Sequence, residues 1–218
     1  MWKRFCGISV FCLGLGLSAQ GQGALPLETF LSPDGAFQFI YPQNYQLLVG
    51  DGMLKGTQGR HSGVSVCDFS TALACVIYPI DAEQNTRFEA AAFSVDRVPG
   101  VSVESECLAY SDRRAEGREE MPPAVSTSIN GVDFWYVSSR KKAAGRVQAS
   151  ESYRIYREQK CYELRIDVSI SEDGTMQRAS EISPRHAVEK KSGSSLGEPA
   201  ADSARDSLRL ILWSFTFK

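Results

Sequence analysis

The most regular alternation of apolar and polar positions in the chain runs from Cys161 to Ile170. Tyr162, Leu164, Ile166, Val168 and Ile170 fall on one side of an extended backbone, and Cys161, Glu163, Arg165, Asp167 and Ser169 fall on the other. That period of two predicts a strand with one face in a core. A helix would scatter the same residues around its circumference. The β-branched and aromatic residues of the apolar side suit a pleated, half-buried surface.

Similar patterns predict the neighbouring elements. Ser32-Pro33-Asp34-Gly35 is a turn sequence, and Phe37, Phe39 and Tyr41 alternate along a first strand that Pro42 ends. Val64 to Cys67 and Ala74 to Tyr78 read as two short strands, the second stopped by Pro79. Thr86 to Val98 contains an Ala run that suits a helix, yet Phe93 and Val95 with Pro99-Gly100 behind them favour a strand. Val103 to Tyr110 reads as a short helix or turn holding Cys107, and Asp112 to Pro123 as a solvated loop of mixed charge. Asn130-Gly131 is a type I′ hairpin signal joining Val125–Ile129 to Val132–Ser138. Arg140 to Gly145 and Glu158-Gln159-Lys160 supply two further reversals around a strand at Val147–Arg157, so four consecutive antiparallel strands follow.

Beyond Glu172 a polar stretch runs to about Ala201 with Ser192-Gly193-Ser194-Ser195, and its low apolar content predicts a flexible insertion at about 172–201. Ser203-x-x-Asp206 resembles a capping box, and Ala204, Leu208, Ile211 and Leu212 share one face of a helix. Trp213, Phe215 and Phe217 then alternate as a final strand entering the sheet.

The first residues change the reading of the cysteines. Lys3 and Arg4, an apolar run from Phe5 to Leu17 and small or polar residues to about Gly23 have the layout of a secretory signal peptide over 1–23. The run is shorter than the roughly twenty apolar residues that cross a bilayer. A lipid anchor at Cys12 lacks the usual residues before it. Export removes Cys6 and Cys12 and leaves Cys67, Cys75, Cys107 and Cys161 in an oxidising compartment, an even number that argues for two disulfides with three pairings open. The short spacing favours Cys67 with Cys75, which leaves Cys107 for Cys161. In the chain-entropy model these loops contribute about 2.6 and about 4 kcal/mol.

Charge narrows the partners little. The chain carries 24 basic and 26 acidic residues, and loss of Lys3 and Arg4 leaves 22 against 26, a formal charge of −4. No basic cluster marks a nucleic-acid interface, and the remaining 24–218 are enough for a single α+β domain.

Candidate chemistry is sparse. Gly50-x-Gly52-x-x-x-Gly56 has a superficial dinucleotide-loop spacing without a helix pattern behind it. Ser138-x-x-Lys141 has a serine-lysine spacing at a predicted strand end, where a helix start would be required. His61 with Asp68 is a possible acid-base pair, and it carries the alternative reading of a small secreted hydrolase or metal-dependent enzyme using His61 and nearby carboxylates. Glu163, Arg165 and Asp167 line one strand face and are either an ion or ligand site or a salt-bridged face. The chain has no C-x-x-C and only His61 and His186, so no cofactor or metal site is expected.

Phe37-x-Phe39-x-Tyr41-Pro42-x-x-Tyr45, Ala74-Cys75-Val76-x-Tyr78-Pro79, Thr86-x-Phe88-x-Ala90-Ala91-x-Phe93-x-Val95, Cys161-Tyr162-Glu163-Leu164 and Ser214-Phe215-x-Phe217 together resemble a family of uncharacterised exported bacterial proteins. The opening and closing motifs are also similar to the PsbP-like sandwich, an antiparallel sheet with helices packed on it. The leader and the cysteines predict a disulfide-stapled α+β protein with a periplasmic or extracellular location, and the resemblance implies a non-catalytic binding or accessory role in the cell envelope. It brings no catalytic residues, and the protein or small-molecule partner stays open.

Overall fold

The computed structural model describes residues 25–50, 67, 71–80, 87–113, 123–143, 145–172 and 199–218. The expected signal peptide, the strand at Val64–Cys67 apart from Cys67, residues 114–122 of the loop expected at Asp112–Pro123 and most of the polar stretch at 172–201 lie outside these residues, while Asp112 and Arg113 of that loop are helical.

The chain forms β1 (Leu27–Leu31), β2 (Phe37–Pro42), β3 (Gln46–Val49), β4 (Ala72–Ile77), β5 (Phe88–Arg97), α1 (Glu104–Arg113), β6 (Val125–Ile129), β7 (Val132–Ala143), β8 (Arg146–Arg157), β9 (Lys160–Ser171), α2 (Pro199–Ser214) and β10 (Thr216–Phe217). A seven-stranded sheet has the order β3-β4-β5-β9-β8-β7-β6, and a three-stranded sheet the order β1-β2-β10. Every pairing is antiparallel. The strand that contains the alternating Cys161–Ile170 segment is therefore the middle strand of the larger sheet.

Turn chemistry sets the β6–β9 meander. Asn130 and Gly131 both hold positive φ, 51° and 76°, as a type I′ turn requires. Glu158 and Gln159 do the same at 51° and 58° without a glycine. The reversal expected over Arg140–Gly145 is tighter than that span, because β7 continues through Ala143. Asn130 also closes a helix end: its amide Nδ2 donates at 2.7 Å to the carbonyl of Trp213, which α2 leaves without an intrahelical partner, and at 2.8 Å to that of Phe215 just beyond the helix.

One core joins the two sheets and α2. Tyr162, Leu164, Ile166 and Val168 of β9 and Phe93 and Val95 of β5 pack against Phe37 and Phe39 of β2, Ala204, Leu208, Ile211 and Leu212 of α2, and Phe215. Burying each large apolar side chain contributes about 1.5–3 kcal/mol. α2 lies over β5 and β9 and against β2, while α1 lies beside β8. Cys107 of α1 and Cys161 of β9 stand at disulfide distance with a Cα separation of 5.5 Å, and Cys67 and Cys75 stand 6.4 Å apart.

Three expectations require correction. Phe37–Pro42 is the second strand, because Leu27–Leu31 precedes it. α2 starts at Pro199, and Ala200 and Ala201 are buried in the core rather than part of a polar insertion; proline at the first helical position lacks only a donor that would be unpaired there anyway. Trp213 belongs to the helix and is 68% exposed, and the short strand after it joins β2 in the smaller sheet rather than entering the larger one.

Candidate functional site

The face of the larger sheet opposite α2 carries the densest set of ionisable groups. Turn placement at Glu158-Gln159 fixes the β8–β9 register, which sets Arg154 across from Glu163, Ser152 across from Arg165 and Ser150 across from Asp167. On the other side of β9, β5 sets Asp96 across from Glu163, Ser94 across from Arg165 and Ala92 across from Asp167. Three adjacent strands thus present Asp96, Arg154, Glu163, Arg165 and Asp167 on one surface.

These groups are buried rather than solvated. Asp96, Glu163 and Asp167 are 3%, 3% and 1% exposed, so the polar side of β9 is as enclosed as the apolar side. Isolated carboxylates at such positions cost many kcal/mol, and they persist only when paired. Arg154 Nη2 lies 2.9 Å from Glu163 Oε1. The Arg165 guanidinium pairs with Asp167, which also accepts from the Ser150 hydroxyl. Ser94 and Thr71 donate to the two oxygens of Asp96 at 2.7 and 3.0 Å.

Burial pushes the Glu163 carboxyl up, but the Arg154 and Arg165 charges and the hydrogen bonds of Arg154 and Ser152 outweigh it and hold Glu163 below the ordinary carboxylate range. The Arg165 guanidinium is desolvated too, and Asp167, Glu163 and Asp96 together raise its pKa. Asp96 goes the other way. Its burial is compensated only in part by Ser94, Arg165 and Thr71, so its pKa is raised. The network therefore holds two ion pairs and one carboxyl whose pKa burial raises, all facing one another. It fastens β5, β9 and β8 together.

A second polar group sits on the α2 side. Glu151 of β8 accepts from Arg209 of α2, with Nη2 2.6 Å from Oε1, and Arg205 approaches the same oxygen at 3.8 Å. The Tyr153 hydroxyl donates to Glu151 at 3.1 Å, and the Tyr153 ring lies 4.9 Å from that of Tyr136 on β7. Farther along β7, Lys142 pairs with Glu172 at 3.1 Å, whereas the Arg140 Nε is buried without a hydrogen-bond partner among the described residues.

The expected candidates distribute unevenly. His61 and Asp68, and with them the acid-base pair, lie outside the described residues. Ser138 and Lys141 sit three positions apart on a strand and so point to opposite faces, which separates the serine-lysine pair. Gly50 has a packing reason: a Cβ there would lie 2.0 Å from the Ala72 carbonyl oxygen, and its N–H donates to Leu73 at 2.9 Å. Among the described residues, no three His, Cys, Asp or Glu side chains are grouped to hold a metal ion. Asp96 and Arg154 were not singled out from the sequence; the signal for Arg154 is its place opposite Glu163 once the turn at Glu158-Gln159 is recognised.

No protein-family model matches the chain, and no curated protein sequence matches it. Solved structures do. LpqN, involved in cell envelope biogenesis of Mycobacterium tuberculosis, aligns over 90% of this chain and 92% of its own at 9% identity with a TM-score of 0.47. The cyanobacterial PsbP (CyanoP) of Synechocystis sp. PCC 6803 aligns over 92% of this chain and 98% of its own at 11% identity with a TM-score of 0.41. A protein of Bacteroides thetaiotaomicron VPI-5482 aligns over 87% of this chain and 48% of its own at 10% identity with a TM-score of 0.40. The structures similar to this chain thus include an envelope protein and a PsbP protein, at distances where what the site does must follow from this chain's own residues.

Proposed function

We propose that this chain is an exported, non-catalytic binding or accessory protein of the bacterial cell envelope. The observation that carries the reading is an exposed apolar surface where α2 meets the smaller sheet. Leu210 and Trp213, three residues apart on one side of α2, are 74% and 68% exposed. The Ser214 hydroxyl donates to Ile40 O at 3.2 Å and accepts from Ile40 N at 2.8 Å, which sets this end of the helix against β2. Ile40, Leu27 and Leu31 share the outer face of the smaller sheet and are also exposed. Large apolar side chains gathered on a surface mark an interaction site, and tryptophan is prominent among residues that dominate binding. The leader layout of Lys3, Arg4 and Phe5–Leu17 and the two cysteine pairs support export.

The test compares the protein with a Leu210→Ser/Trp213→Ser variant in retention of proteins from envelope fractions. The variant changes exposed side chains only, so its fold should persist. The reading expects partners retained by the unaltered chain and lost by the variant. Isolation of the unaltered protein with nothing bound, or equal retention by both, would contradict it.

A further inference from the structure

The geometry points to the outer edge of β7, from Val137 to Ala143, as a docking site for an extended acidic peptide of a partner, added as a strand with one of its carboxylates on Arg140. β6 begins at Val125, directly opposite Tyr136, so the remaining seven residues of β7 pair with β8 on one side and have no strand on the other among the described residues. Pro122 and Pro123 precede β6 and cannot donate to a ladder that would extend it along this edge. An edge of that length presents a row of main-chain donors and acceptors, the template for strand addition.

The side chains on this edge select the charge of the occupant. Arg140, Lys141 and Lys142 are consecutive. Alternation puts Arg140 and Lys142 on the α2 side with Tyr136 and Ser138, and Lys141 on the other face. An added strand therefore meets cations on both of its faces. Lys142 already pairs with Glu172, and Arg205 and Arg209 already pair with acids, whereas Arg140 has no ion pair among the described residues.

Arg140 also holds a buried Nε donor with no acceptor among the described residues. Such a donor is destabilising until an acceptor arrives. Ala149, a small residue, lies directly across from it on β8. With the guanidinium turned toward the added strand, a carboxylate there takes Nε and a second guanidinium N–H as a bidentate pair, which a lysine cannot reproduce. Basic side chains on an edge also discourage strand pairing between copies of a chain, and the experiment separates that role from docking.

The probe is a labelled, end-capped synthetic peptide of alternating Glu and Thr, followed by fluorescence anisotropy on the full exported chain. Binding should weaken as salt rises. It should fall about tenfold in Arg140→Gln, a loss of about 1.4 kcal/mol, and further in Arg140→Glu, with partial recovery in Arg140→Lys. A peptide with one central Glu replaced by Pro should bind at least tenfold more weakly, because it cannot complete the ladder. Circular dichroism confirms that each variant is folded. Absence of binding, equal binding by the proline peptide, indifference to Arg140→Gln, or an edge closed by self-association of the chain would each overturn the proposal. The Leu210→Ser/Trp213→Ser variant keeps this binding, so failure here is distinguishable from failure of the envelope-partner reading.

Discussion

Arg154 of β8 and Glu163 of β9 face each other across the central pair of strands at 2.9 Å, both nearly excluded from solvent. Removing one partner leaves the other charge buried without its counter-ion, while removing both leaves a site that apolar side chains can fill. Glu163→Gln alone, or Arg154→Met alone, is expected to cost about 3–5 kcal/mol, and Arg154→Met/Glu163→Gln together to cost far less than the sum. Chemical denaturation of the four proteins in the cycle checks this, and additive losses would show that the two side chains do not interact.

Asp96 belongs to the same surface but behaves differently. Burial raises its pKa, so its charge at neutral pH costs stability, and that cost is relieved as pH falls through the raised folded value. Asp96→Asn keeps an acceptor for one hydroxyl and turns the other into an acceptor, while Arg165 retains Asp167 and Glu163. Its stability at pH 7 is expected to change by less than about 1 kcal/mol. A loss as large as that of Glu163→Gln would mean that the ionised form of Asp96 is structurally required.

The Cys107 and Cys161 pair ties α1 to the middle strand across a sequence separation of 54. Replacing both with Ser is expected to cost about 4 kcal/mol through the larger entropy of the unfolded chain. Peptide mass mapping of unreduced protein should recover Cys107 joined to Cys161 and Cys67 joined to Cys75. Free thiols in native material, or either alternative pairing, would refute the arrangement.

Much of this architecture is legible in the residues because local chemistry decides it. Asn130-Gly131 can hardly do anything but turn, and Ala204, Leu208, Ile211 and Leu212 have one face to bury. β1 is not legible, since four of its five residues are exposed and Phe30 alone points inward. Its strand character comes from pairing with β2, which no local pattern reveals. The polar side of β9 is the instructive case. Alternation separates Glu163 and Asp167 from the apolar residues, but it reads the same whether the polar side meets water or an internal ion network. Only register distinguishes the two: once Glu158 and Gln159 turn the chain, Arg154 must fall opposite Glu163. Trp213 misleads for the opposite reason, because its alternation with Phe215 and Phe217 imitates a strand while its helical partner is Leu210.

The titration of the Glu163 carboxyl in the folded protein, followed by carboxyl-detected NMR, tests most directly whether the charged face of β9 serves as an internal fastener. Because Arg154 and Arg165 hold this group below the usual range against the pull of burial, its contribution to stability is present above the unfolded value and is lost as pH falls through the lower folded one. The account predicts a midpoint below that of an ordinary glutamate, with unfolding promoted as that midpoint is crossed. A midpoint at or above the ordinary value would contradict it, because Glu163 would then be either solvated or poised to give up a proton.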